Sequence, residues 1–115
     1  MKEYIQVFTT AKKKDDADEI ARDLVENRLA ACAQVIGPIN SIYRWKGKIE
    51  EEEEWICILK SRYDCYEKIE KRLKDIHPYE EPEILALSLV RGSRGYLTWL
   101  DQQVSPGSEQ GASNE

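Results

Sequence analysis

Two long extended runs meet at Trp45-Lys46-Gly47-Lys48. Cys32 to Arg44 reads as extended before the turn, and about Ile49 to Ser61 after it. Gly47 can take positive φ, so the four residues supply a hairpin turn. Both arms outrun the ~5–6 residues of an average strand. A hairpin longer than its own sheet has free edges, and free edges take partners. Gly37-Pro38 lies inside the first arm, which predicts a bulged edge strand rather than a central one. Val35, Ile39 and Tyr43 are expected on one face of it.

The remaining elements fall around this hairpin. Tyr4–Thr10 is rich in β-branched and aromatic residues and reads as a first strand. Asp16 with Glu19 resembles a capping box, followed by Ala17, Ile20, Ala21, Leu24 and Val25 at helical spacing. Asp64 with Glu67 repeats the box before Tyr66, Ile69, Leu73 and Ile76. Ile84–Val90 is nearly all apolar and reads as a fourth strand, and Tyr96–Asp101 as a short helix. The order β-α-β-β-α-β with right-handed crossovers predicts an α+β, ferredoxin-like sandwich over residues 1–104. Residues 105–115 are Ser-, Gly-, Gln- and Glu-rich and are expected to be a disordered tail. Two helices cover only one face of a four-stranded sheet. Tyr4, Trp55, Leu59 and alternating residues of the fourth strand argue that the other face is covered by another subunit.

His77-Pro78-Tyr79-Glu80-Glu81-Pro82-Glu83 carries the only histidine of the chain. Pro78 bars helical geometry at His77, so the preceding helix should stop there. Pro82 has no N–H, so the next strand should follow it at a sheet edge. The heptapeptide is a rigid polar corner, a place for a site or an interface.

Composition excludes several classes. The chain has 22 acidic and 17 basic residues and a net charge of -5, which argues against nucleic acid as a partner. The N-terminal run is too short for a signal-peptide core or a membrane span. Cys32, Cys57 and Cys65 lack CxxC spacing and are odd in number, which argues against a disulfide framework or structural zinc and for a reducing cytoplasm. Cys57 reads as core and Cys65 as partly exposed. Gly92-Ser93-Arg94-Gly95 lacks the spacing of a nucleophile elbow, and Gly47-Lys48 is followed by Ile49 rather than Ser or Thr, so neither a hydrolase triad nor a phosphate loop is present. The expectation is a protein that is not an enzyme.

Five segments in order carry a family resemblance: Leu29-Ala30-Ala31-Cys32, Tyr43 to Ile49, Ile58-Leu59-Lys60-Ser61, His77-Pro78-Tyr79 with Pro82-Glu83, and Tyr96-Leu97-Thr98-Trp99-Leu100. Together they resemble the CutA, or divalent-cation tolerance, family over residues 3–104. The resemblance implies a ferredoxin-like fold and a cytoplasmic homotrimer built by pairing long hairpins, similar to the trimer of PII signalling proteins. It also implies a link to heavy-metal tolerance and copper (Cu2+) binding, and it brings no reaction. Metal-binding members can carry cysteine at the position of Thr9 and histidine at that of Ile76, and this chain has neither.

The candidate sites follow. Cys32 is a soft-metal ligand or a small buried residue. His77 is a weak divalent-metal ligand, with Glu80, Glu81 or Glu83 as oxygen donors, or a hydrogen-bonding anchor of its corner. Tyr43, Trp45, Lys60, Tyr79, Glu83 and Trp99 are placed near an intersubunit cleft, with a Lys60–Glu83 pair holding a small anionic or polar ligand or specifying a trimer interface. Glu50–Glu54 is a solvated arm, or a ring of charge if subunits bring three runs together. A second functional reading is a PII-like module that senses a small molecule and has no metal role.

Overall fold

A computed structural model describes residues 3–105. The elements are β1 (Tyr4–Ala11), α1 (Lys14–Glu26), β2 (Cys32–Trp45), β3 (Lys48–Arg62), α2 (Tyr66–Ile76), β4 (Leu85–Leu89) and α3 (Arg94–Gln103). The sheet is antiparallel with order β2-β3-β1-β4, the ferredoxin-like arrangement. The predicted fold is the observed one. The expected disordered tail falls, apart from Ser105, outside the described residues. Ser105 is held, its N–H donating to the Arg28 carbonyl at 2.9 Å.

The hairpin turn has positive φ at Lys46 (51°) and Gly47 (82°), the paired left-handed geometry that matches strand twist. The bulge falls where expected, between Ile36 and Ile39. Gly37 is required there, because a Cβ would lie 2.5 Å from the Trp55 ring.

The bulge overturns one expectation. Val35 pairs with Cys57, but Ile39 pairs with Glu54 and Tyr43 with Glu50. The one-residue shift exchanges faces, so Val35 lies on one face and Ile39 and Tyr43 on the other.

Helix starts also differ from the capping-box reading. α1 begins at Lys14 and has no side-chain cap; Asp15 and Asp16 sit in its first turn, where the helix dipole favours them. Asp64 lies in a 3-10 turn (Tyr63–Cys65) and gives its carboxylate to Arg62 at 2.7 Å instead of capping α2. α2 does stop at Ile76, with His77 extended at φ -72°, ψ 137° before Pro78.

The core lies between the helices and one sheet face. Ile5, Val7, Cys57 and Leu59 meet Ala17, Ile20 and Leu24 of α1 and Ile69 and Leu73 of α2, with Leu100 closing one end. Cys65 belongs to this core at 0% exposure, not partly exposed as expected, and burial pushes its thiol pKa up. Cys57 is raised to about 12 by burial, which disfavours its thiolate at neutral pH.

The opposite face is apolar, but its members differ from those expected. Leu59 and Trp55 pack toward the helices. The open face presents Phe8, Ile56 and Ile58, with Leu85 at 51% and Leu87 at 53% exposure.

Candidate functional site: an acidic cleft under the hairpin arm

β4 pairs with β1 only over Tyr4–Phe8. Beyond Phe8 the edge of β1 is taken by the His77–Glu83 corner. His77 is 8% exposed, and its Nε2–H donates to the Thr10 carbonyl at 2.9 Å. Its Nδ1 accepts the Tyr79 N–H at 3.0 Å. A carbonyl only accepts and an amide N–H only donates, so the ring is the neutral Nε2–H tautomer. Burial, the largest influence, moves the His77 pKa down, against the Thr10 carbonyl and the Asp16 and Glu54 carboxylates.

Tyr79 reaches from the corner to the arm. Its hydroxyl donates to Glu54 Oε2 at 2.6 Å, and its pKa is raised, by burial first and by Glu54 second. Glu54 is only 6% exposed. Between corner and arm lies a cleft of about 770 Å³. Its walls include Tyr43, Trp45, Pro78 and Tyr79 and the carboxylates of Glu50, Glu52, Glu54, Glu80, Glu81 and Glu83. Lys12 is the one basic residue among the described lining. Tyr43 donates to Glu52 at 3.0 Å, which raises the Tyr43 pKa.

The run Glu50–Glu54 is therefore not simply a solvated arm. Strand alternation sends Glu50, Glu52 and Glu54 into the cleft and leaves Glu51 and Glu53 exposed, with Glu51 hydrogen-bonded to Asn40. The period of two within a charged strand was the available signal for these missed residues.

Of the six residues expected at a cleft, Tyr43, Trp45, Tyr79 and Glu83 line this one. Lys60 and Trp99 do not. Lys60 stands opposite Cys32 and Gln6, whereas Glu83 precedes Leu85, which is opposite Phe8. β1 lies between them, and the expected Lys60–Glu83 pair does not form among the described residues. Trp99 packs against Tyr96 with ring centroids 5.4 Å apart and the planes tilted by 41°, and Tyr96 interacts with the Cys32 thiol.

The two candidate metal ligands, Cys32 and His77, lie apart in one chain. Cys32 is level with Lys60 and Thr10 is level with Ile56, four residues apart along β3, about 13 Å at ~3.3 Å per residue. His77, seated on Thr10, cannot share an ion with Cys32, and neither of its nitrogens has a free lone pair. Among the described residues no group of three or more His, Cys, Asp or Glu is placed to hold a metal. The residues of one chain thus do not fit a tight metal centre.

A profile of the CutA1 divalent ion tolerance protein family matches residues 5–103. The chain belongs to this family. The divalent-cation tolerance protein CutA of Thermus thermophilus is 42% identical over 94 residues, covering 82% of this chain and 91% of that one. The mouse protein CutA is 40% identical over 104 residues, covering 90% of this chain; the chain spans 59% of the mouse protein. The solved structure of the periplasmic divalent cation tolerance protein CutA from Archaeoglobus fulgidus superposes with a TM-score of 0.86 at 34% identity, covering 89% of this chain and 99% of that one. The five segments that carried the resemblance all lie within the matched range. Relatives of the CutA family are named for tolerance, not for a reaction.

Proposed function

We propose that this CutA-family chain acts in divalent-ion tolerance by weak, reversible binding of cations, copper included, in the acidic cleft, without catalysis. The observation that carries this is the charge of the lining: six carboxylates against one lysine. Such a cleft attracts cations and repels the anionic ligand expected from the Lys60–Glu83 reading. Carboxylate oxygens hold divalent ions without preference for copper, and any tight coordination would need ligands from more than one chain.

A homotrimer is part of the proposal. The open face of Phe8, Ile56, Ile58, Leu85 and Leu87 and the exposed Ile42, Trp45 and Ile49 of the arm support it, because apolar surface of this extent marks an interface. A reducing cytoplasm suits three free cysteines. No helix among the described residues is long and apolar enough to cross a membrane.

The aromatic rings of Tyr43, Trp45 and Tyr79 in the cleft favour a second reading, a PII-like regulatory module taking a small organic molecule with no metal role. Calorimetric titration with Cu2+, Zn2+ and Mn2+ separates the two. Heat from each metal that weakens in a Glu52→Gln, Glu81→Gln double variant supports cation binding; no heat from any metal leaves the sensing module. Light scattering that returns a monomer would remove the trimer.

A further inference from the structure

Tyr79 is held at both ends. Its N–H is bound by His77 at 3.0 Å and its hydroxyl by Glu54 at 2.6 Å. Through it the corner is fastened to the arm across the cleft. The fastening depends on a lone pair at His77 Nδ1, which is also the atom that takes up a proton. Proton uptake there turns the acceptor into a donor facing another donor. The bond from Nε2–H to the Thr10 carbonyl survives this change. The ring therefore stays on β1 while the Tyr79 backbone must move away.

We propose that His77, Tyr79 and Glu54 form a proton-operated latch, in which protonation of His77 releases Tyr79 and opens the cleft between corner and arm. This goes beyond the cation reading and does not depend on it, since the latch acts with no metal present.

The charged groups acting on the ring are Asp16 from α1 and Glu54 from β3, and both favour the imidazolium. Burial opposes them and dominates, so the closed form titrates below the ordinary histidine range. With the corner open, the ring meets water and returns toward its ordinary pKa of ~6.5. The open form thus binds the proton more tightly. Opening is unlinked to pH above the ordinary value and grows more favourable as pH falls from there to the closed-form pKa. The Tyr79 phenol does not compete, because its pKa is raised and it stays protonated throughout.

The chain has one histidine, so its ring resonances in the assembled, metal-free protein are unambiguous. The test is an NMR titration from about pH 8 to about pH 5, spanning the histidine range. The Tyr79 amide protection factor, corrected for intrinsic exchange, is measured in the same samples. The latch predicts that His77 titrates below ~6.5 and that Tyr79 protection falls about tenfold per pH unit between ~6.5 and that midpoint, one proton being taken up on opening. His77→Gln keeps a neutral donor and acceptor and should make the protection independent of pH. Tyr79→Phe should lower protection at every pH and keep the slope. Protection that stays flat while His77 titrates, or a slope that persists in His77→Gln, would overturn the latch. Should His77→Gln not fold, the wild type decides: protection that levels off at the pH where the His77 ring titrates supports the latch, and protection that levels off elsewhere overturns it.

Discussion

At the end of the sheet near Arg62 charges are matched, and under the hairpin arm they are not. Arg62 bridges Asp64 at 2.7 Å and Asp101 at 3.5 Å, and the Tyr4 hydroxyl donates to both Asp101 oxygens at 3.0 and 3.1 Å. Arg28 donates to the Gln102 carbonyl and to Ser105. Each of these contacts ties a turn, α3 or the chain after it to the rest of the fold. The arm end has hydrogen bonds as well, but its carboxylates outnumber its cations in the cleft. Like charges gathered without counterions destabilise a fold. The matched end reads as structure, and the unmatched end as the place where a cation from solution would be welcome.

Substitutions at the two ends test this contrast. The largest effect is expected at the matched end. Arg62→Ala strips the cation from Asp64 and Asp101, both bound to one largely buried side chain, and should cost about 2–3 kcal/mol, read as a lowered Tm. Cation binding should be untouched. Tyr79→Phe comes next. It leaves the buried Glu54 carboxylate without its donor and should cost about 1–2 kcal/mol in the same melt. Glu52→Gln should be smallest, within ~0.5 kcal/mol, because the group is partly solvated and its neighbours repel it. In calorimetry, however, it should weaken divalent-cation binding measurably. A Glu52→Gln protein that loses stability while binding cations as before would put the two ends on the same footing.

pH sharpens the contrast too. Asp23 is held below its ordinary range, first by its hydrogen bond to Arg72, which ties α1 to α2. That stability is present above the unfolded carboxylate pKa and is lost as pH falls through the depressed folded one. His77 acts earlier on the way down. Its folded pKa is depressed, so its contribution is complete above ~6.5 and shrinks as pH falls to the folded value. Melts in His77→Gln should lose the upper part of this acid sensitivity and keep the carboxylate part.

The architecture was legible because it rests on local rules. Pro78 ended α2, Gly47 made the turn, and Gly37-Pro38 bulged the edge strand. The faces beyond the bulge were not legible, because a one-residue slip inverts every later side chain and only the register reveals it. The start of α2 was not legible because the Asp64 carboxylate binds Arg62, only two residues before it, instead of capping the helix. In the site, Tyr43, Trp45, Tyr79 and Glu83, expected near an intersubunit cleft, line one cleft within the single chain. Lys60 on β3 and Trp99 on α3 do not line it, because both belong to elements that lead away from the arm end of the sheet. The burial of Cys65 depended on how the 3-10 turn seats it against the sheet.

The proposed cation site lies at the arm and not at Cys32. Substoichiometric Mn2+ or Cu2+, both paramagnetic, broadens the amide signals near where it binds. Broadening is expected at Glu50–Glu54 and Tyr79–Glu83, unchanged in Cys32→Ser and diminished in the Glu52→Gln, Glu81→Gln double variant. Broadening centred on Cys32, Lys60 and Tyr96 that disappears in Cys32→Ser would contradict it.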